Sequence, residues 1–117
     1  MNNTTLTLLF ERSLKHQEEH HCGGHPYRHG DMLGLFVSLV KAKKVLELGT
    51  GLGYTAACLA QASDTIEIDT IDRDELHLSL AKNNWEDFDL RDRINPLFGK
   101  AEEILPVLKP EYDLIFF

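Results

Sequence analysis

Length, composition and charge already limit what this chain can be. Its 117 residues suffice for one domain, and 43% hydrophobic with 26% charged residues is the balance of a globular protein. No apolar run approaches the ~20 residues of a membrane helix, and the N-terminus lacks the layout of a signal peptide. A formal net charge of −7 argues against general nucleic-acid binding through phosphate neutralisation. Two cysteines, Cys22 and Cys58, make no disulfide framework, so we expect a cytoplasmic protein.

The first 42 residues are predicted to form an N-terminal helical segment. Apolar residues recur at helical spacing over residues 5–21, and the glycines and proline of residues 22–26 end that helix. A second helix is predicted from Asp31, as its expected N-cap, to Lys41.

Residues 43–117 alternate predicted strands with predicted helices. The strands are residues 45–48, 65–71, 94–98 and 112–117, and the helices are residues 54–61, 72–84 and 101–108. Asp72 is the expected cap of the second of these helices, with Glu75 at the reciprocal position. Such alternation with short connections predicts an α/β fold with a parallel sheet and right-handed crossovers.

The last predicted strand ends the sequence on two phenylalanines, Phe116 and Phe117. Parallel strands are normally covered on both faces and protected at the edge. We therefore expect a single partial domain, truncated after the fourth strand. A homo-oligomer or strand-exchanged dimer through the open sheet edge is one expected form of partner.

The most informative segment is the glycine-rich turn Glu47-Leu48-Gly49-Thr50-Gly51-Leu52-Gly53-Tyr54, set between a predicted strand and helix. Glycines allow sharp turns and close approach of a ligand, and the helix N-terminus offers free N–H groups. Asp72 ends the next strand, where a carboxylate can accept hydrogen bonds from ribose hydroxyls. Together these residues predict an adenosine-containing ligand; the alternative is a turn that only packs helix against sheet.

The spacing of the glycines and the position of Glu47 favour S-adenosylmethionine over NAD. The dinucleotide fingerprint G-x-G-x-x-G is not met, because the third glycine falls one position early. A carboxylate at Glu47 would repel a pyrophosphate but attract the ammonium group of S-adenosylmethionine. A phosphate-binding P-loop is excluded because no G-K-[ST] follows.

These motifs resemble those of class I S-adenosylmethionine-dependent methyltransferases with a Rossmann-like fold. More narrowly, the chain resembles the N-terminal half of cation-dependent O-methyltransferases of the catechol and caffeoyl-CoA kind. The likeness extends from about His29 onward and is carried by the segments HGDMLG (residues 29–34), VLELGTGLGYT (45–55), GKAE (99–102) and YDLIFF (112–117).

The resemblance implies a role for each matching residue. Glu47 would meet the cofactor's amino group, Gly49, Gly51 and Gly53 would form the turn around its methionine portion, and Thr55 could bond its carboxylate. His29 would close over the same end. Around the adenosine the implied residues are Asp72 on the ribose, Arg73 beside the adenine, and Ala101 with Glu102 at its edge.

The implied activity is methyl transfer to a small hydroxylated acceptor. The resemblance also implies a divalent cation such as Mg²⁺, whose ligands and nearby catalytic lysine lie beyond the fourth strand. We therefore expect no catalytic or metal-binding residue within this chain and little turnover by it. An NAD-dependent oxidoreductase and a non-catalytic fragment completed by a partner chain remain as alternatives, and a nucleic-acid acceptor is disfavoured by the charge.

Five histidines crowd residues 16–29 together with Cys22. His16 and His20 are four residues apart, which is the spacing of a helical metal pair, and Cys22 could add a ligand. The competing interpretation is a solvated helix face followed by a cofactor-covering loop. Cys58, Trp85 and Phe88 are predicted to be packing residues.

Overall fold

The computed structural model describes residues 3–21, 28–109 and 111–117. Two helices come first, followed by alternating strands and helices, with single 3-10 turns at Arg91–Arg93 and Leu105–Val107. The elements in chain order are α1 (Asn3–His20), α2 (Gly30–Leu39), β1 (Lys44–Leu48), α3 (Tyr54–Gln61), β2 (Glu67–Asp72), α4 (Glu75–Asp87), β3 (Ile94–Phe98), α5 (Ala101–Ile104) and β4 (Leu114–Phe116).

The four strands form one parallel sheet in the order β3-β2-β1-β4. β1 pairs with β2 on one side, Glu47 standing opposite Thr70, and with β4 on the other, Glu47 standing opposite Phe116. The predicted α/β class and parallel pairing are confirmed. Because the chain leaves β1 towards β2 and later returns to its other side, the carboxyl end of β1 is a topological switch point, where ligands of such sheets bind.

The core is formed by buried residues of the sheet and of helices α1 to α4. α3 is its centre, with Tyr54 through Ala60 all buried, as expected for a helix of small and apolar residues. The C-terminal end of α3 is held by the Arg93 guanidinium, which donates to the carbonyls of Ala60 and Ser63. Cys58 and Trp85 are buried and Phe88 packs against the same cluster, so their predicted packing roles are confirmed.

Helix α2 lies unusually close to α3 at its glycines. A Cβ on Gly34 would stand 2.9 Å from the carbonyl oxygen of Cys58, and one on Gly30 would stand 2.6 Å from the Cys58 sulfur. The prediction that Asp31 caps α2 is wrong: the N-cap is His29, two residues earlier, and it makes no side-chain capping bond. Asp31 instead lies in the first turn, where its negative charge faces the positive end of the helix dipole.

The prediction that Asp72 caps α4 is also wrong. The cap is Asp74, whose carboxylate accepts the His77 amide at 3.1 Å, and α4 begins at Glu75. Asp72 stays in β2 because its carboxylate is taken by the amides of the glycine turn. Farther on, the predicted helix over residues 101–108 is α-helical only to Ile104 and continues as a 3-10 turn around Pro106.

β3 and β4 form the two edges of this sheet. On β4 and the residue after it, Ile115 and Phe117 are exposed, Phe117 to 89%. In the part of the chain that the structure describes, no helix is both long enough and apolar enough to cross a membrane.

Candidate cofactor-binding site

The glycine turn between β1 and α3 has a backbone that only glycine adopts easily. Gly49 and Gly51 have φ of +94° and +54°, in the left-handed region. A Cβ added to either would meet nothing within 4 Å, so both glycines border open space. A surface of bare backbone facing open space fits a ligand that must approach the chain closely.

Gly53 has a different role from the first two glycines. Its φ is +89°, and a Cβ there would stand 2.4 Å from the indole nitrogen of Trp85. That nitrogen donates to the Gly53 carbonyl at 2.9 Å. The packing interpretation of the turn is therefore correct for Gly53, while Gly49 and Gly51 remain available to a ligand.

Glu47 occupies the penultimate position of β1 and is almost completely buried, with 1% of its surface exposed. Its carboxyl group accepts a hydrogen bond from the Thr70 hydroxyl at 2.7 Å, and that hydroxyl shares a second bond of 2.7 Å with Thr50. Burial raises the pKa of Glu47 to about 8, against the opposing effect of the Thr70 bond, and the nearby Asp72 adds to the rise. The site therefore holds a carboxyl group that a neighbouring cation would ionise.

Asp72 joins the end of β2 to the glycine turn. Its Oδ2 accepts the amides of Thr50 and Gly51, each at 3.0 Å, and its Oδ1 accepts the Asp74 amide at 2.9 Å. A carboxylate has about four acceptor positions, so Oδ1 keeps one for a ligand. The Asp72 carbonyl also accepts the Gly99 amide at 3.0 Å, which ties the end of β3 to the same place.

The other predicted site residues lie on segments that surround the turn. Thr55 is buried in the first turn of α3, where the leading amides lack partners within the helix, and exposed Arg73 follows Asp72. Ala101 and the exposed Glu102 begin α5 directly after β3 and Gly99-Lys100. His29 is exposed next to Gly30, whose close contact with the Tyr54 ring brings this end of α2 to the start of α3.

The alternative of a metal pair at His16 and His20 of α1 is not supported by a cluster of three ligands in the described part of the chain. In residues 3–21, 28–109 and 111–117, no group of three or more His, Cys, Asp or Glu side chains is placed to hold a metal ion. His16 is buried rather than solvated: its Nε2 lies 3.1 Å from Nε2 of His77, and its ring lies against that of His20. Cys22 and the loop expected to cover the cofactor lie outside the described residues.

Several residues that shape the site were missed from the sequence. Thr70 faces Glu47 because the two are register partners, a pairing that the strand pattern could have indicated. Asn84 and Trp85 reach the turn from α4, where Nδ2 of Asn84 donates to the Leu52 carbonyl at 2.9 Å. No local signal connects α4 to a turn 32 residues earlier.

Residues 3–117 match the O-methyltransferase family. The chain belongs to this family. Among its relatives, the catechol O-methyltransferase of Niastella koreensis is 35% identical over 92 residues, covering 74% of this chain and 42% of that protein. A tRNA1(Val) (adenine(37)-N6)-methyltransferase of Trichodesmium erythraeum is 33% identical over 89 residues, covering 74% of this chain and 37% of that protein.

Solved structures agree with the assignment to the O-methyltransferase family. The O-methyltransferase of Bacillus cereus in complex with SAH (S-adenosylhomocysteine) is 25% identical, with a TM-score of 0.79 over 100% of this chain and 55% of that one. The chain thus spans about two fifths of the length of the two curated relatives and about half of that of the solved structure. Among the described residues, no cluster of three or more side chains could bind the divalent cation that the resemblance implies.

Proposed function

We propose that this chain forms the cofactor-binding part of an S-adenosylmethionine-dependent O-methyltransferase. The observation that carries the proposal is the turn at the carboxyl end of β1, where Gly49 and Gly51 border open space and two carboxyl groups stand at the ends of the neighbouring strands β1 and β2. One of these, Glu47, is buried and suited to a cation; the other, Asp72, keeps one acceptor position. An NAD pyrophosphate would bring negative charge to the Glu47 side of the turn, where a carboxyl group favours a cation, and this disfavours the oxidoreductase alternative.

The cofactor would supply a methyl group carried on a sulfonium for in-line transfer to an acceptor oxygen, with the C–S bond broken, S-adenosylhomocysteine as the leaving group and the hydroxyl proton released. We propose that this chain's residues hold the donor in place for that displacement, because positioning lowers the barrier. Glu47 would ionise against the ammonium group, and Gly49 and Gly51 would admit the methionine portion, whose carboxylate could be bonded by Thr55. The Asp72 carboxylate would accept from the ribose.

The adenine and the outer end of the cofactor involve residues on neighbouring segments. Arg73 would flank the adenine, and Ala101 with Glu102 would meet its edge at the start of α5. His29, exposed at the start of α2, would close over the methionine end. Each of these assignments rests on the position of the residue around the turn and on its likeness to the family motifs.

We further propose a small hydroxylated molecule as the acceptor. The family assignment supports it, and a net charge of −7 disfavours a polyanionic acceptor. The similarity to a tRNA methyltransferase makes an RNA acceptor the outcome to test against. Because the described residues hold no metal-binding cluster, no step of methyl transfer is assigned to a cation in this part of the chain.

Calorimetric titration of S-adenosylhomocysteine tests the proposal, with NAD as the competing ligand. We expect saturable binding of S-adenosylhomocysteine that is lost in Asp72→Ala and kept in Asp64→Ala, which removes the same charge from an exposed turn. Circular dichroism establishes that each variant is folded. Binding of NAD alone would favour an oxidoreductase, and no binding by the folded chain would favour a fragment that a partner chain completes.

A further inference from the structure

The N-terminal helix α1 is connected to the glycine turn by a continuous chain of hydrogen bonds. Arg12 of α1 donates to Oδ1 of Asn84 at 2.8 Å, and Nδ2 of Asn84 donates to the Leu52 carbonyl at 2.9 Å. Trp85, the next residue of α4, donates to the neighbouring carbonyl of Gly53. Two consecutive carbonyls of the turn are therefore held by two consecutive residues of α4.

The chemistry of its two partners determines which atom of the Asn84 amide each of them bonds. A guanidinium only donates, so it requires the carbonyl oxygen of the Asn84 amide. The Leu52 carbonyl only accepts, so it requires the amide nitrogen. Arg12 therefore fixes the amide in the orientation that binds the turn, and Asn84, with 6% of its surface exposed, has little water to replace a lost partner.

Arg12 is itself held by three groups on or beside α4. Besides Asn84, its guanidinium lies 3.2 Å from the Asp87 carboxylate and 5.5 Å from the centre of the Phe88 ring. The Asp87 pair is largely exposed and contributes little by itself. The bond to Asn84 is the one that leads to the cofactor side of the turn.

We propose that Arg12 is a positioning residue for cofactor binding, acting through Asn84 and the Leu52 carbonyl on the glycine turn. This inference rests on the proposed function, because it assigns a second layer of support to the same site. Asp72 holds the amides of Thr50 and Gly51, while Asn84 and Trp85 hold the carbonyls that follow. Freeing the Leu52 carbonyl loosens the open backbone at Gly51 that the cofactor must contact.

The test compares Arg12→Met with Lys15→Met, a matched loss of one positive charge on the same helix. Lys15 is exposed and pairs only with Glu19 of its own helix in the described contacts. Titration of S-adenosylhomocysteine should give binding about tenfold weaker in Arg12→Met, the size expected for one hydrogen bond to a charged group. Lys15→Met should bind as the unaltered chain does. Equal affinity in the two variants would overturn the proposal.

Two further measurements separate positioning from a loss of stability. Exchange of the Gly51 amide hydrogen should accelerate in Arg12→Met relative to strand amides of β1, whereas a general loss of stability would accelerate both. Asn84→Asp keeps a partner for Arg12 but loses the donor to Leu52, so it should weaken binding without loosening α1 from α4. Undiminished binding of S-adenosylhomocysteine by Asn84→Asp would refute the proposal that Arg12 acts through Asn84.

The order of the measurements distinguishes the two proposals. Failure of the folded, unaltered chain to bind S-adenosylhomocysteine would overturn the proposed function and the cofactor role of Arg12 together. Binding by the unaltered chain with undiminished binding by Arg12→Met would overturn the role of Arg12 alone. In an Asn84→Ala background, adding Arg12→Met should not weaken binding of S-adenosylhomocysteine further, because the hydrogen bonds from Arg12 to the Leu52 carbonyl are already broken.

Discussion

Replacing Glu47 with glutamine should remove the fall in the free energy of unfolding that this carboxyl group causes as the pH rises. The carboxyl group is buried, and its pKa is raised from 4.5 to about 8. Between these values the folded chain keeps the proton that the unfolded chain releases. Stability from this group is therefore fully present below pH 4.5 and is lost as the pH rises towards 8. Glutamine resembles the protonated acid in shape and does not titrate.

The size of the effect follows from the linkage of one proton. While the folded state binds one proton more than the unfolded state, the free energy of unfolding falls by about 1.4 kcal/mol per pH unit. Between pH 5.5 and 7.5 the free energy of unfolding of the wild-type chain should therefore fall by roughly 2 kcal/mol relative to that of Glu47→Gln. Taking the difference between the two proteins removes the contributions of all other titrating groups.

Urea unfolding followed by circular dichroism at pH 5.5, 6.5 and 7.5 measures this difference. Glu67→Gln is the matched control, because it makes the same substitution at an exposed position at the start of β2. If the free energy of unfolding changed with pH in the same way in the wild-type chain and in Glu47→Gln, the carboxyl group would be ionised in the folded chain. That result would refute the argument from burial.

Three further outcomes are expected. Because the cofactor's ammonium group favours ionised Glu47, binding of S-adenosylhomocysteine at pH 7 should release a proton, seen as a heat that depends on the buffer's ionisation enthalpy; equal heats in all buffers would contradict this. Gly53→Ala should destabilise the fold by about 3 kcal/mol, because Gly53 has a positive φ and a Cβ there would clash with Trp85. Gly49→Ala should lower the free energy of unfolding by only about 1 kcal/mol and yet weaken cofactor binding. Unfolding measures the first effect and titration the second. Burial lowers the pKa of His16 below 6.5, and the charges of His20 and His77 lower it further, against the opposing effect of Asp74 and Glu19. Stability should therefore fall as the pH drops through 6.5, and His16→Gln should reduce that fall in acid unfolding curves.

The sequence pattern predicted the elements that carry the site because each has a local physical signature. A short apolar run before glycines marked β1, and the extent of α3 from Tyr54 to Gln61 was predicted to the residue. Where two local signals compete, prediction failed. Asp72 and Asp74 can both cap a helix, and only the tertiary demand of the glycine-turn amides for a carboxylate assigns Asp72 to the turn and Asp74 to the cap.

The contacts that no sequence pattern predicted are those between distant segments. Arg12 and Asn84 are 72 residues apart, and each alone has the pattern of an ordinary polar residue on a helix. Likewise, three glycines with the same local appearance divide into two that border open space and one that receives the Trp85 indole. That division depends on where α4 crosses the turn, which is fixed by packing of the whole core.

The arrangement around Asp72 explains how the turn can be ready for a ligand before one binds. The carboxylate already bonds three backbone amides and so orders the chain around it, and in the proposed site its remaining acceptor position would bind ribose. With the following carbonyls held from α4, the glycine turn is fixed from both sides. Ordering these residues is thus part of the cost of folding, and less of the cofactor's binding energy is spent on it.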